Sequence, residues 1–145
     1  MSTDLHGNGS DFRRLVEIFD GLREREVETH WVLLGDLVHA PGDRARRDRP
    51  DLYDHPDASW EIVSAVADLR DAHPDHVHFV LGNHDYAHIG GPRTAKFHND
   101  EAAHLEGRLS PDQVERMRRL FRGALLAVST PCGVFLSHGS PSVET

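Results

Sequence analysis

The chain has 145 residues, enough for one domain that buries roughly two-thirds of the surface its unfolded form exposes. Its 24 Asp and Glu outnumber 16 Lys and Arg, and a net charge of -8 argues against general nucleic-acid binding, which needs clustered cations. No apolar run approaches the roughly 18 residues of a membrane span, the leader MSTDLHGN lacks signal-peptide character, and a single cysteine, Cys132, fits a reducing, cytoplasmic compartment. The composition is unusual only in its 12 histidines.

Ser10 is expected to cap a first helix, whose inner face is Phe12, Leu15, Val16, Phe19 and Leu22 at helical spacing. Gly21 and the charged run Arg23 to Glu26 close it. Trp31-Val32-Leu33-Leu34 reads as a strand buried on both faces, ending in Gly35-Asp36. Residues 37 to 57, rich in Pro, Asp and Arg, are expected to be loop. Asp57 or Ser59 opens a second helix with Trp60, Ile62, Val63, Val66 and Leu69 inward, stopped before Pro74. Val77 to Leu81 is another buried strand, followed by Gly82-Asn83-His84-Asp85. An irregular stretch, 86 to 109, precedes a helix begun by the cap Ser110 and Pro111, with Val114, Met117, Leu120 and Phe121 inward. Ala124 to Ser129 and Val134 to Ser137, joined through Pro131-Cys132-Gly133, read as a hairpin. This order indicates an α/β fold with a mainly parallel sheet and an antiparallel part.

Four strand exits carry residues of metal-ligand type: Asp4-Leu5-His6-Gly7, Gly35-Asp36, Gly82-Asn83-His84-Asp85 and Ser137-His138-Gly139. Ligands of open α/β sheets collect beyond the carboxyl ends of the strands, where these groups fall. In an extended segment Asp4 and His6 face one side and can grip one ion together. Carboxylate, imidazole and amide oxygen suit Mn, Fe or Zn better than Ca. Asp85 is read as a strand-end charge that pairs locally. Arg44, Arg46, Arg47 and Arg49 are read as a solvated loop, with one of them replacing a phosphate clamp as the rarer reading. The stretch after His84, with His88, Arg93, Lys96, His98 and His104, is balanced between substrate selectivity and simple packing. Trp31 and Trp60 are assigned to the core, and His30, His73, His76 and His78 to the surface or strand edges.

The elements Asp4-Leu5-His6-Gly7-Asn8, Gly35-Asp36-Leu37-Val38, Leu81-Gly82-Asn83-His84-Asp85 and Ser137-His138-Gly139 resemble the successive signatures of the calcineurin-like metallophosphoesterases. They look most like the phosphoprotein-phosphatase branch, and the resemblance spans residues 4 to 141. It implies a layered α/β/β/α sandwich and a single metallophosphoesterase domain over 1–145. It further implies two divalent metal ions, Mn, Fe or Zn, with Asp4 and His6 on the first, Asn83 and His138 on the second, and Asp36 bridging. A metal-bridging hydroxide would attack phosphorus while His84, as general acid, protonates the leaving oxygen. The implied substrate is a phosphoprotein, a nucleotide or a small phosphoester, with no residues assigned to bind it, and no membrane partner is expected.

The chain also departs from that pattern. Only three residues precede Asp4, and no later histidine follows His138, so the domain is expected to be incomplete at both ends and to lack its C-terminal part. His39 stands where the branch has an aspartate that orients the catalytic histidine, and Ala40 and Leu81 stand where it has arginines. The alternative reading is therefore a truncated, non-catalytic remnant that binds metal without hydrolysing phosphate esters.

Overall fold

The computed structural model describes residues 1–25 and 28–139. Its first helix, α1 (Gly9–Arg23), is capped by Asn8 rather than Ser10. The Asn8 side chain accepts from the N–H groups of Ser10 and Asp11, so the turn begins two residues earlier than the hydroxyl suggested. Gly21 lies inside α1, and Glu26 of the run expected to close it lies outside the described residues.

Strand β1 (Trp31–Leu34) pairs in parallel with β2 (Val77–Val80), in the register Trp31 with Val77 through Leu34 with Val80. Both match the apolar runs in the sequence. Ser2 adds an isolated parallel bridge to Leu33, and Leu125 adds one to Val80. The central layer therefore runs Ser2, β1, β2, Leu125, all in parallel. A separate antiparallel hairpin joins β3 (Ala127–Ser129) to β4 (Phe135–Ser137), as expected.

The segment 37–57, expected to be loop, contains α2 (Asp43–Asp48) and α3 (Pro50–Tyr53). Neither buries a residue, so hydrophobic periodicity could not betray them. Arg44 pairs with Asp48 and Arg49 with Asp51 there, both in water, which is the solvated reading of that arginine cluster. Next comes α4 (Ser59–Ala72), with Ile62, Val63 and Val66 buried. Asp57 accepts from the N–H and hydroxyl of Ser59 at its start.

Past β2, Gly82 leads into the short α5 (Asn83–Tyr86) and a 3-10 turn, Ala87–Ile89. The stretch expected to be irregular also holds α6 (Glu101–Glu106), capped by Asp100, whose side chain accepts from Ala103 N–H. Then α7 (Pro111–Arg122) starts on a capping box in which Ser110 and Gln113 each accept the other's backbone N–H. One apolar core runs through Trp31, Leu33, Val77 and Phe79 of the strands, Leu37 and Val38 beyond β1, Phe12 and Phe19 of α1, Ile62, Val63 and Val66 of α4, and Met117 and Phe121 of α7. Trp60 packs against it, half-buried.

Candidate metal centre

The exits of β1 and β2 approach so closely that they accept no side chain at two positions. A Cβ on Gly82 would lie 2.3 Å from the backbone nitrogen of Asp36, and one on Gly35 would lie 2.5 Å from the Cα of Gly82. That contact sets Asp36 beside the Gly82–Asp85 turn. Asp4–Gly7 is laced to the β1 exit by Asp4 N–H to Gly35 O (3.2 Å), His6 N–H to Asp36 O (2.9 Å) and Gly7 N–H to Leu37 O (2.9 Å). Four residues along this stretch lie in the left-handed region: Asp4, His6, Asp36 and His39, with φ of 54°, 44°, 56° and 71°. Each costs about 1 kcal/mol or more, and such strain concentrates where side chains must be aimed.

All six residues singled out in the sequence converge here. Asp36 Oδ2 lies 3.8 Å from His6 Nε2, 3.4 Å from His138 Nε2 and 4.0 Å from His84 Nε2. Asp4 Oδ1 is 3.7 Å from His6 Nε2, and Asn83 Oδ1 is 3.0 Å from His138 Nε2. His6 and His138 each direct Nδ1 at a backbone carbonyl, Val38 at 3.2 Å and Leu34 at 2.6 Å, which turns Nε2 of both rings inward. His6, Asp36 and His84 each bring one ligand atom within 4.8 Å of the others, all three buried.

The Asp36 carboxylate is held ionised at this point. Burial pushes the Asp36 carboxyl up, but hydrogen bonds from His138 and the His84 N–H outweigh it and hold the group below its ordinary value. His138 responds in kind: its hydrogen bond to Asp36 raises it to about 9, so an imidazolium fills the place beside the carboxylate. Burial and the Lys96 charge lower His6, and Lys96 Nζ donates to the free His6 Nε2 at 3.1 Å. A carboxylate ringed by protons and an imidazole lone pair taken by an ammonium form a donor set that fits divalent metal.

Behind His84 runs a chain of groups of which the sequence pointed only to His39, at the place of the branch's orienting aspartate, and named His88 without a role. His84 Nδ1 is 2.9 Å from His39 Nδ1 and 3.2 Å from Glu101 Oε2. His39 Nε2 is 2.8 Å from His88 Nε2, and His88 Nδ1 donates to Glu106 Oε1 at 2.9 Å. Glu106 in turn pairs with Arg118. Read from Glu106 inward, each ring has one consistent tautomer: His88 donates from Nδ1 and accepts at Nε2, and His39 donates from Nε2. His39 Nδ1 is then an acceptor, so His84 carries its proton on Nδ1 and turns a bare Nε2 toward Asp36. Burial, with the charges of His88 and His84, drives His39 down to about 2 and keeps it neutral.

His39, His84 and Glu101 also group as metal donors within 4.8 Å, but their contacts to one another already close without an ion. Glu101 Oε1 accepts from Phe97 N–H at 2.8 Å, while buried Oε2 makes no hydrogen bond and faces His84. Asp85, expected to pair locally, is instead fully buried and accepts three backbone N–H groups across both strand exits. A spacing of one residue from His84 gave no hint of that.

An α/β fold with carboxylates and imidazoles gathered at its strand exits belongs with the proteins whose strand ends offer groups that could hold a divalent metal. The comparison with family models is specific. The calcineurin-like phosphoesterase model matches residues 2–145, and the chain belongs to that family. Comparison with curated proteins and with solved structures gives no match. The family carries phosphoester hydrolysis with divalent metal, and among the described residues no helix is long and apolar enough to cross a membrane.

Proposed function

We propose that this chain is a metal-dependent phosphoesterase whose centre holds two divalent ions. Asp4, His6 and Asp36 would hold one, and Asn83, His138 and Asp36 the other. The observation that carries the reading is the single carboxylate Asp36, whose Oδ2 faces His6 Nε2 on one side and His138 Nε2 on the other. Such ions, when bound, supply Lewis-acid stabilisation of charge on phosphoryl oxygens and ionise water near neutral pH.

His84 serves as the general acid. Its Nδ1 proton is held by His39, with the Glu101 carboxylate facing it at 3.2 Å, so only Nε2 is free to give a second proton to a leaving oxygen. The buried Glu101 carboxylate stabilises the imidazolium that carries it. Lys96, whose ammonium already reaches the centre, offers a point charge for a phosphoryl oxygen in place of the missing arginines. The substrate is a phosphoester of a protein, a nucleotide or a small molecule. The lone Cys132 supports a cytoplasmic location.

Metal analysis of the protein incubated with Mn2+, Fe2+ or Zn2+, paired with hydrolysis of an aryl phosphate, tests this. Two ions per chain and metal-dependent turnover are expected. Asp36→Asn abolishes turnover and lowers the ion count, whereas His84→Ala keeps the ions and loses about 10²–10⁴ in rate. Absence of bound metal in the wild type overturns the proposal, and full loading without turnover favours the non-catalytic remnant.

A further inference from the structure

A second group of histidines lies at the opposite, amino end of the same two strands. His30 immediately precedes β1 and His76 immediately precedes β2. The parallel register sets them side by side, with Trp31 N–H donating to His76 O at 2.7 Å. His78, two residues further along β2, shares a face with His76. The His30 ring centroid lies 5.3 Å from that of His76 and 5.4 Å from that of His78. Glu28 completes the group: it, His30 and His76 each bring one ligand atom within 4.8 Å of the others.

We propose that Glu28, His30 and His76 form a divalent-metal site of zinc-binding character, separate from the centre around Asp36. Two ligands on one tetrahedral ion at about 2.0–2.2 Å stand roughly 3.3 Å apart. Glu28 Oε1 and His30 Nε2 are already 3.4 Å apart. The hydrogen bonds orient both rings for coordination. His76 Nδ1 donates to the Thr29 carbonyl at 3.0 Å, leaving Nε2 as its lone pair. His30 Nδ1 and His78 Nε2 are 3.1 Å apart, and donation from His30 leaves its Nε2 bare beside Glu28. A backbone carbonyl and a neutral imidazole thus act as the outer partners that metal-ligating histidines ordinarily have.

His78 suits that role by its place, with its Nε2 facing His30 Nδ1 and its ring stacked on that of His30. The group is exposed or half-buried, so water can complete the coordination of an ion there. Such an ion would clip the lead-in of β1 to the lead-in of β2, two segments 46 positions apart in sequence. That separation is why spacing alone assigned these histidines to the surface.

Titration of the metal-free full chain with Zn2+, followed by backbone and imidazole 15N resonances, tests the site without reference to activity. Saturable shifts of the His30 and His76 Nε2 resonances, complete with one equivalent beyond any taken up at His6 and His138, are expected. His76→Ala should weaken Zn2+ binding at His30 at least tenfold while leaving the response around Asp36 unchanged. Shifts confined to His6, His84 and His138, a His30 response only at millimolar Zn2+, or an unaltered His30 response in His76→Ala would each overturn the proposal. Should His76→Ala not fold, the wild-type titration and His30→Ala decide the matter in the same terms.

Discussion

The carboxylate of Asp85 accepts the backbone N–H of Asp36 at 2.7 Å, so the residue after the proposed general acid holds the residue proposed to be shared by both ions. The same carboxylate takes Leu37 N–H at 3.0 Å and Gly82 N–H at 3.1 Å. Two strand exits 46 residues apart are thereby fastened to one buried side chain.

Replacing Asp85 by Ala orphans three buried donors, each costing about 1–3 kcal/mol, so a loss of about 3 kcal/mol or more is expected in urea unfolding. Asp85→Asn, which keeps an acceptor, should lose less. Burial and the Asp36 charge raise Asp85 to about 7, above the ordinary carboxyl value of its unfolded state. The stability it contributes is then complete below about pH 4 and lost as pH rises through 7. Unfolding measured across that window should show the decline in the wild type, and Asp85→Asn should flatten it.

The role of Asp85 marks how far the sequence was legible. Both central strands, α4, α7 and the hairpin follow from apolar runs and caps, since burial and periodicity are local signals. The six residues at the strand exits were legible for another reason: they fall in four short groups, each containing a glycine, and three of the groups end an apolar run. Asp85, Glu101 and the His39–His88–Glu106 chain act across 17 to 49 positions, and spacing carries no trace of such pairings; His39 alone was pointed to, by the place it takes in the family pattern. The helices α2, α3 and α6 escaped because each is six residues or fewer, too short for a helical period to show, and α2 and α3 bury no residue at all.

Gly82 is expected to tolerate no substitution, although its φ of -93° suits any residue. The obstacle is the 2.3 Å approach of a Cβ to Asp36 N and Oδ1, atoms fixed by β1 and by Asp85. Gly82→Ala must part the two strand exits, a cost of about 3 kcal/mol by analogy with severe overpacking. Thermal unfolding checks the stability. Retained Tm with intact Asp36 amide resonances would show that the exits can separate freely, contrary to this account.

Glu101 is expected to act through His84 rather than on substrate. Glu101→Gln keeps the size but removes the charge facing His84 Nδ1 at 3.2 Å. Turnover of an alkyl phosphate, whose leaving oxygen needs a proton, should fall about 10²-fold, while an aryl phosphate with an acidic leaving group should be nearly unaffected. KM should change little for either, and Glu101→Asp should recover part of the loss. An equal fall for both substrates would mean that Glu101 serves packing alone.

The pairing of His138 with Asp36 gives the metal-free protein a pH dependence of the opposite kind from a salt-bridged acid. The hydrogen bond to Asp36 lifts His138 from its ordinary 6.5 to about 9 in the folded chain. Its contribution is therefore fully present below about pH 6.5 and lost as pH rises through 9. The ring is partly exposed, so the loss should be modest, about 1 kcal/mol. Thermal unfolding in chelator from pH 8 to 10, above the range in which Asp85 titrates, measures it, and His138→Gln should remove the decline. Divalent metal, which competes with the proton for Nε2, should abolish the same decline in the wild type and leave His138→Gln unmoved. A decline that survives both treatments would place its origin away from the Asp36 centre.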